Sequence, residues 1–229
     1  MRIPLPKNEA ARLQALIEYD ILDTAPEQAF DDIVQLAAYI CGTPTAFMSL
    51  VDGERQWFKS RRGGTQQETP REHAFCAYTI LEPSIMEVED AQLDQRFASS
   101  PLVTQAPNIR FYAGAPLLTS GGHALGSLCV TDQKPRRLRP EQRDCLTRLA
   151  RQVIYNLELR RVSAKLADAV ANVKTLAGML PICAHCKRVR NDQGYWSQVE
   201  AYVTEHTDAT FTHGLCPDCS EKMFPDLKN

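Results

Sequence analysis

IRFYAGAPLLTSGGHALGSLCVT, residues 109–131, is the strongest β-hairpin signal in this chain. Its two apolar runs, Ile109–Leu118 and Ala124–Thr131, have the length of strands and contain aromatic and β-branched residues. Thr119-Ser-Gly-Gly-His123 joins them, and neighbouring glycines favour a tight connection between antiparallel strands. We therefore expect two paired strands in this segment.

Apolar residues also recur at regular intervals on the N-terminal side of this hairpin. The predicted elements are helix Asn8–Leu22, helix Pro26–Ile40, strand Ala46–Asp52, strand Gln56–Ser60 and strand Ile85–Glu89. Gly42 stands where the second helix is expected to end. Helices and hairpins in this order indicate an α+β domain with an antiparallel sheet and helices on one of its faces.

A long helix is predicted from Pro140 to Leu180, because proline suits the first helical turn and no later proline interrupts the segment. Its second half spaces apolar residues in alternating steps of three and four. These residues are Leu159, Val162, Leu166, Ala169, Val173, Leu176 and Leu180. This heptad spacing predicts a homodimer through a parallel coiled coil over Leu159–Leu180. A single amphipathic helix packed on its own domain is the alternative.

Composition limits the functional classes that need to be considered. The 229 residues carry a formal net charge of −2, so nucleic acid is not favoured as the main partner. The N-terminal segment lacks the apolar core of a signal peptide, and no run approaches the ~20 apolar residues of a membrane span. We expect a cytoplasmic protein without a membrane partner, in which the cysteines are reduced and paired cysteines bind metal.

Two C-x-x-C units lie near the C-terminal end of the sequence. Their cysteines are Cys183 and Cys186 in the first unit and Cys216 and Cys219 in the second, with 29 residues between the units. Two such units supply four thiolates, which form the tetrahedral shell of a structural Zn²⁺ site. His185 and His213 are reserve ligands if one cysteine points away. A set of reduced free thiols is the alternative, although a module of this size rarely folds without a metal or disulfide.

Several short blocks identify the larger part of the chain with a known family. The blocks are Asn8-Glu9 with Arg12-Leu13, Tyr19–Thr24, Phe75–Ala77, Asp90 with Asp94 and Arg96-Phe97, Pro101–Val103, Arg110–Leu117, Gly126–Val130 and Asp132. In this order they resemble the GAF domains of bacterial signalling proteins, over roughly residues 8–160. The resemblance implies a six-stranded antiparallel sheet, a pocket between the sheet and a crossing helical segment, and a regulatory role. It does not fix the ligand, since GAF domains bind cyclic nucleotides, tetrapyrroles, small metabolites or nothing known.

The resemblance also suggests which residues face the pocket. The candidate ligand-binding residues are Phe75, Cys76, Asp94, Arg96, Arg110 and Tyr112. Arg96 or Arg110 is suited to a bidentate contact with an anion, and the alternative is an arginine–aspartate pair that ties a loop to the sheet. The Phe75 side chain could either pack in the hydrophobic core or stack on a ligand. Chromophore-binding relatives carry a bilin on a cysteine followed by histidine, whereas Ala77 follows Cys76 here, so we expect an inert buried thiol.

We did not find a sequence pattern that requires catalysis. The chain lacks a nucleophile elbow, a phosphate-binding glycine loop and an HExxH helix, so we expect no catalytic residues. Some GAF-fold proteins reduce free methionine sulfoxide with pocket cysteines, for which Cys76 and Cys129 are the candidates here. Their spacing does not demand that chemistry, and both are expected to be buried, unreactive thiols.

The sequence therefore predicts four parts. They are an N-terminal helix packed on the sensor domain (1–24), a GAF domain (25–158), a long coiled-coil helix (140–180) and a double-CxxC, zinc-ribbon-like module (181–229). The last part resembles a tail found after bacterial sensory domains. We expect a sensory protein that binds a small molecule and transmits a conformational change through the dimeric helix to a protein partner. The alternatives are an interaction or dimerisation module without a ligand, or a zinc-dependent nucleic-acid-binding regulator.

Overall fold

The computed structural model describes residues 4–171, 180–191 and 193–224. The chain divides into two compact units, Met1–Lys165 and Leu166–Asn229. The first unit contains an antiparallel sheet with helices, and the second contains a small hairpin and two short helices.

The first unit is built on one six-stranded sheet. Its strands are β1 (Thr45–Val51), β2 (Arg55–Arg62), β3 (Glu68–Pro70), β4 (Met86–Val88), β5 (Phe111–Leu118) and β6 (Ala124–Asp132). They lie in the order β3-β2-β1-β6-β5-β4, and each neighbouring pair is antiparallel. The predicted α+β class and the predicted hairpin are confirmed, since β5 and β6 pair with Ala113 opposite Val130.

Helices lie on both faces of this sheet, and the last of them continues beyond the first unit. They are α1 (Glu9–Glu18), α2 (Gln28–Cys41), α3 (Cys76–Thr79), α4 (Pro101–Thr104) and α5 (Pro140–Ala171), with a 3₁₀ turn at Arg71–His73. The first two and the last share one core with the sheet, whereas α3 and the segment up to α4 cover the other face. The expectation of helices on one face is therefore wrong. Both faces of the central strands are apolar, so both must be covered.

Strand β5 contributes side chains to both hydrophobic cores, one on each face of the sheet. Its alternate residues Phe111, Ala113, Ala115 and Leu117 belong to the core that contains α1, α2 and α5. Tyr112 projects from the opposite face into the second core, together with Cys129 of β6 and Phe75. Successive side chains of a strand point to opposite faces, so this division follows directly from the sequence.

Helix α1 is held to the end of the sheet by a buried guanidinium. Arg12 is 0% exposed and donates to the carbonyl oxygen of Val51 at 2.7 Å. It also forms two hydrogen bonds of 2.8 Å with the carboxylate of Glu9, which accepts a third from Arg71 at 2.6 Å. Burial raises the pKa of Glu9, but the hydrogen bonds from Arg12 and Arg71 outweigh it and lower that pKa to about 2. The ion pairs compensate for burying the charge of Arg12.

Helix α2 ends as the sequence predicts. Gly42 has a φ of 65° and lies in the left-handed region, and its N–H bonds to the carbonyl oxygen of Tyr39. A left-handed glycine at this point closes the last turn without the steric penalty that a Cβ would incur. The chain then turns directly into β1.

Helix α5 changes character along its length. Its first half buries Leu146, Ala150, Val153, Ile154 and Leu157 in the core with α1 and α2. The apolar residues that follow are exposed, among them Leu159 (65%), Val162 (57%) and Leu166 (63%). Residues 172–179, with heptad residues Val173 and Leu176, lie outside the described residues, and Leu180, the predicted helix end, is described outside any helix. The coiled-coil dimer stays a prediction.

The second unit has little regular structure. A two-stranded hairpin joins β7 (Val189–Arg190) and β8 (Trp196–Ser197), and α6 (Val199–His206) and α7 (Pro217–Met223) follow it. Cys183 and Cys186 precede the hairpin, whereas Cys216 and Cys219 lie at the start of α7.

Gly126 provides a direct test of the central strand pairing. A Cβ at this position would lie 1.9 Å from the carbonyl oxygen of Ser49 and 2.7 Å from the Cα of Leu50. Both are backbone atoms of β1, so Gly126→Ala must push β1 and β6 apart. We expect the free energy of unfolding to fall by about 3 kcal/mol, measured by urea unfolding of Trp57 fluorescence in a Trp196→Phe background.

The control for this substitution is Gly53→Ala, because a Cβ on Gly53 meets no atom within 4 Å. It should change the free energy of unfolding by less than about 0.5 kcal/mol. Equal effects of the two substitutions would contradict the close packing of β6 on β1.

Candidate functional site

A cavity of about 290 Å³ lies between the sheet and the segment that runs from α3 to α4. Buried residues form its floor, namely Cys76, Tyr112 and Cys129. Its mouth is formed by exposed residues of two loops, 63–66 and 106–107. Its walls are formed by Phe47, Phe58, Phe75, Leu102 and Ile109. The cavity is therefore a mainly apolar space with two thiols and a tyrosine hydroxyl among its buried lining.

The structure brings together three of the six predicted ligand-binding residues. Phe75, Cys76 and Tyr112 line the cavity. Phe75 also stacks on Phe97 at 4.1 Å between ring centroids and on Tyr112 at 5.0 Å. Phe75 therefore belongs both to the core and to the cavity wall, and its ring orientation is fixed by two aromatic neighbours.

Asp94, Arg96 and Arg110 are not among the residues that line this cavity. Arg96 forms a bidentate pair with Asp94, at 3.0 and 2.6 Å, and Arg110 pairs in the same way with Asp90. Hydrogen bonds from these arginines lower the pKa of both aspartates, so the carboxylates stay charged. The Asp90–Arg110 pair matches the alternative reading of the sequence, because it ties a loop to the residue that precedes β5, whereas the Asp94–Arg96 pair lies within one loop.

The two cavity thiols form one hydrogen-bonded cluster. The sulfur atoms of Cys76 and Cys129 are 3.7 Å apart, and the Tyr112 hydroxyl donates to Cys76 Sγ at 3.3 Å. Burial raises the pKa of Cys76, but hydrogen bonds from Cys129, Ser127, Ser49 and Tyr112 outweigh it and lower that pKa to about 7. The hydrogen bond with Cys76 raises the pKa of Cys129. Once one of the two sulfurs is a thiolate, the remaining proton is held between them, so the second ionisation is harder than the first. Both thiols are buried, as predicted.

Two polar side chains of the cavity lack a partner among the described protein atoms. They are the Gln56 amide oxygen and the Thr69 hydroxyl, on residues that are 6% and 8% exposed. The residues lie directly opposite each other on β2 and β3, so their side chains share one face of the sheet. Buried polar groups are almost always hydrogen-bonded, and an unpaired one costs about 1–3 kcal/mol. Sequence reasoning missed both residues, because neither lies in a family motif.

Comparison with known proteins agrees with this architecture. The family model for the GAF domain matches residues 25–157, more than half of the chain. The chain belongs to the GAF domain family. A cyclic di-GMP phosphodiesterase of Pseudomonas aeruginosa is 44% identical over 133 residues, which cover 58% of this chain and 23% of that protein. The chain thus spans only about a quarter of the length of that relative.

Solved structures match at the level of the fold. One is a domain of a protein described as a two-component sensor histidine kinase from Sinorhizobium meliloti, with TM-score 0.50, 19% identity, and coverage of 63% of this chain and 99% of that one. Another is the blue-light absorbing form of the PixJ GAF domain of Thermosynechococcus elongatus, with TM-score 0.50, 16% identity, and coverage of 74% and 99%. At these identities the comparison concerns the fold alone.

None of the helices in the described part of the chain combines the length and the hydrophobicity needed to cross a lipid bilayer. The two longest described helices are α2 and α5. In the GAF domain α2 and the first half of α5 bury their apolar residues against the sheet.

The four predicted zinc ligands lie in the second unit, outside the GAF domain. Hydrogen bonds from the N–H groups of Cys186 and His185 lower the pKa of Cys183. Hydrogen bonds from the N–H group and the thiol of Cys219 lower the pKa of Cys216 in the same way. A lowered thiol pKa favours the thiolate that a metal requires, so each pair has the donor chemistry of half a zinc site. Within the described ranges, no three metal-binding side chains form one group. The four-thiolate site, with His185 or His213 in reserve, stays a prediction.

Because the Thr69 hydroxyl is unpaired among the described residues, we expect that removing it stabilises the ligand-free protein. Thr69→Val replaces a buried, unpartnered hydroxyl with a methyl group of similar size, so the free energy of unfolding should rise by about 1 kcal/mol. Chemical denaturation of extensively dialysed protein measures this change.

The matched control is Thr79→Val, because the Thr79 hydroxyl is fully buried and lies 2.7 Å from the Tyr112 hydroxyl. This substitution removes a made hydrogen bond and should lower the free energy of unfolding by about 1–2 kcal/mol. If both variants lost the same stability, Thr69 would have a partner within the protein and would not be available to a ligand.

Proposed function

We propose that this chain is a cytoplasmic, non-catalytic regulatory protein whose GAF domain binds a small uncharged molecule in the cavity above the sheet. The observation that carries the proposal is the combination of an apolar cavity with two unpaired buried polar groups, those of Gln56 and Thr69. Ligand sites are typically apolar clefts in which a few placed polar groups fix orientation. The cavity volume of about 290 Å³ lies at the small end of that class.

The described cavity lining offers no cationic side chain that could pair with an anionic ligand, and its Cys76 thiol favours the negatively charged thiolate. Its polar members are threonines, glutamines, cysteines and Tyr112, without an acidic or basic side chain. A phosphate or carboxylate transferred into this space would lose its hydration without an ion partner. Arg96 and Arg110, which the sequence suggested for an anion, are already paired with Asp94 and Asp90. These contacts disfavour cyclic nucleotides as ligands of this cavity.

The two unpaired groups specify one edge of the ligand. Gln56 offers an amide whose oxygen and nitrogen exchange places on a half rotation, and Thr69 offers a hydroxyl that donates or accepts. A neutral amide or hydroxyl of the ligand satisfies both groups, because it can donate to the Gln56 oxygen and accept from the Thr69 hydroxyl. The aromatic wall, with Phe47 and Phe58 at 4.9 Å between centroids, suits a flat apolar body.

We further propose that ligand binding is coupled to α5 through the sheet. Tyr112 and Cys129 face the cavity, whereas their strand neighbours Phe111 and Val130 pack in the core that contains α5. A ligand that binds one arrangement of these strands better shifts the population towards it. The exposed apolar residues Leu159, Val162 and Leu166 support the proposal of a parallel homodimer that carries this change to a protein partner.

Thermal unfolding of the full chain with a panel of compounds tests the ligand proposal. Uncharged aromatic or heteroaromatic molecules bearing an amide or hydroxyl should raise the melting temperature, whereas cyclic AMP, cyclic GMP and cyclic di-GMP should not. Gln56→Leu should weaken binding of an active compound by about tenfold, the value of one hydrogen bond to a neutral group.

The matched pair of controls for this screen consists of two leucine-to-tryptophan substitutions. Leu102→Trp fills the cavity and should abolish the thermal shift, whereas Leu93→Trp, at a position that is 82% exposed, should preserve it. A shift that survives in Leu102→Trp would place the ligand elsewhere. A shift produced by the anionic nucleotides instead would contradict the uncharged ligand.

We also propose that the second unit holds one Zn²⁺ through Cys183, Cys186, Cys216 and Cys219, where the ion would stabilise the fold. Elemental analysis of reduced full-length protein should find one zinc ion per chain, and Cys183→Ser or Cys216→Ser should lower that content by about tenfold. Cys145→Ser, in α5, is the control that should retain the metal. Zinc-free wild-type protein would contradict the site.

A further inference from the structure

We propose that Cys76 and Cys129 are an oxidisable dithiol at the floor of the GAF cavity, which a hydroperoxide converts to a disulfide. The proposal rests on the placement of the two sulfurs, 3.7 Å apart on α3 and β6 and both facing the same cavity. It is independent of the identity of any ligand and of the zinc site.

The distance between the sulfurs makes the bond sterically accessible. A disulfide has an S–S length of about 2.05 Å, so the two atoms need to approach by about 1.6 Å from their separation of 3.7 Å. Cys76 is the first residue of the four-residue helix α3, which is joined on both sides to irregular chain. This short element is not part of the sheet, so the approach of the Cys76 side chain to β6 breaks no strand pairing.

The cavity supplies a route for the oxidant. Exposed residues of the loops 63–66 and 106–107 form its mouth, and the two thiols lie at its floor. A volume of about 290 Å³ accommodates hydrogen peroxide readily, since a water molecule occupies only about 30 Å³ in the liquid. The thiols are thus buried from bulk solvent but open to a small neutral molecule.

Cys76 is the sulfur that attacks. Its surroundings favour the thiolate, with a pKa of about 7, whereas the pKa of Cys129 is raised. The titratable groups that face Cys76 are Cys129 of β6 and Tyr112 of β5, and its other described partners are the hydroxyls of Ser49 and Ser127. Burial keeps the pKa of Tyr112 well above its ordinary value, so its hydroxyl remains a donor to the Cys76 thiolate.

The reaction balances without any further reductant or oxidant. The Cys76 thiolate forms an S–O bond as the O–O bond of the peroxide breaks, and the departing oxygen takes up the thiol proton as water or alcohol. The Cys129 sulfur then displaces the oxygen of the sulfenic acid, forming the disulfide and releasing water. The two thiols lose two electrons and two protons, and the peroxide gains them.

Peptide mapping of the full-length chain after brief hydrogen peroxide treatment tests this inference. After trapping of free thiols under denaturing conditions, we expect a peptide pair linked through Cys76 and Cys129. Cys41 is the internal control, because burial raises the pKa of this thiol to about 11. Cys76 should react at least about tenfold faster than Cys41 at neutral pH.

Two variants separate the steps of the reaction. In Cys129→Ser, oxidation should stop at a sulfenic acid on Cys76 that dimedone traps. In Tyr112→Phe, the midpoint of the pH–rate profile should move upwards from about 7, since the thiolate loses a hydrogen-bond donor. A change in stability alone would leave that midpoint unchanged.

The result that would overturn the inference is a Cys76 thiol that reacts no faster than Cys41, or disulfides that join only the cysteines of the second unit. The mapping uses the wild-type chain, so it gives this answer even if a variant fails to fold. Ligand binding is not measured, so failure here leaves the proposed ligand site unaffected.

Discussion

The structure depends on the two-residue repeat of side chains along its central strands. In β5, Phe111 and Ala113 enter the core beneath α5, and Tyr112 between them enters the cavity. Because adjacent residues of one strand serve the two sides, neither face can change its spacing without moving the other. This constraint joins the cavity to the helical layer.

The two faces of the sheet are covered by different kinds of element. The helical face is closed by long helices, and even the guanidinium of Arg12 is fully paired there with Glu9 and backbone carbonyls. The cavity face is covered by short helices and loops, and it retains the unpaired groups of Gln56 and Thr69. Unpaired buried groups lower stability, and those of Gln56 and Thr69 lie in the cavity where we propose a ligand, whereas other unpaired atoms, on Thr43 and Arg71, lie outside its lining.

Sequence reasoning could predict the fold because its signals are local or belong to the family. The hairpin of β5 and β6 and the glycine that ends α2 were both predictable in this way. Strand β3 was missed, since the three residues Glu68–Pro70 lie at the sheet edge without a run of apolar residues. The last predicted turns of the long helix lie outside the described residues.

The candidate site was only partly predictable, for a physical reason. Phe75, Cys76 and Tyr112 were found because they lie in family motifs, whereas the contribution of Gln56 depends on a hydrogen bond that is not made. A missing partner is a property of the packed structure and leaves no mark in a single sequence. The sequence left open whether Arg96 and Arg110 bind an anion or pair with an aspartate, because that choice depends on which carboxylates the fold places beside them.

Native mass spectrometry of the full chain, purified gently from its own host, tests the central claim most directly. The account predicts a bound small molecule, at up to one per chain, that carries no phosphate or carboxylate group. A chain that carries no small molecule under these conditions, or one that carries a phosphorylated compound, would contradict it.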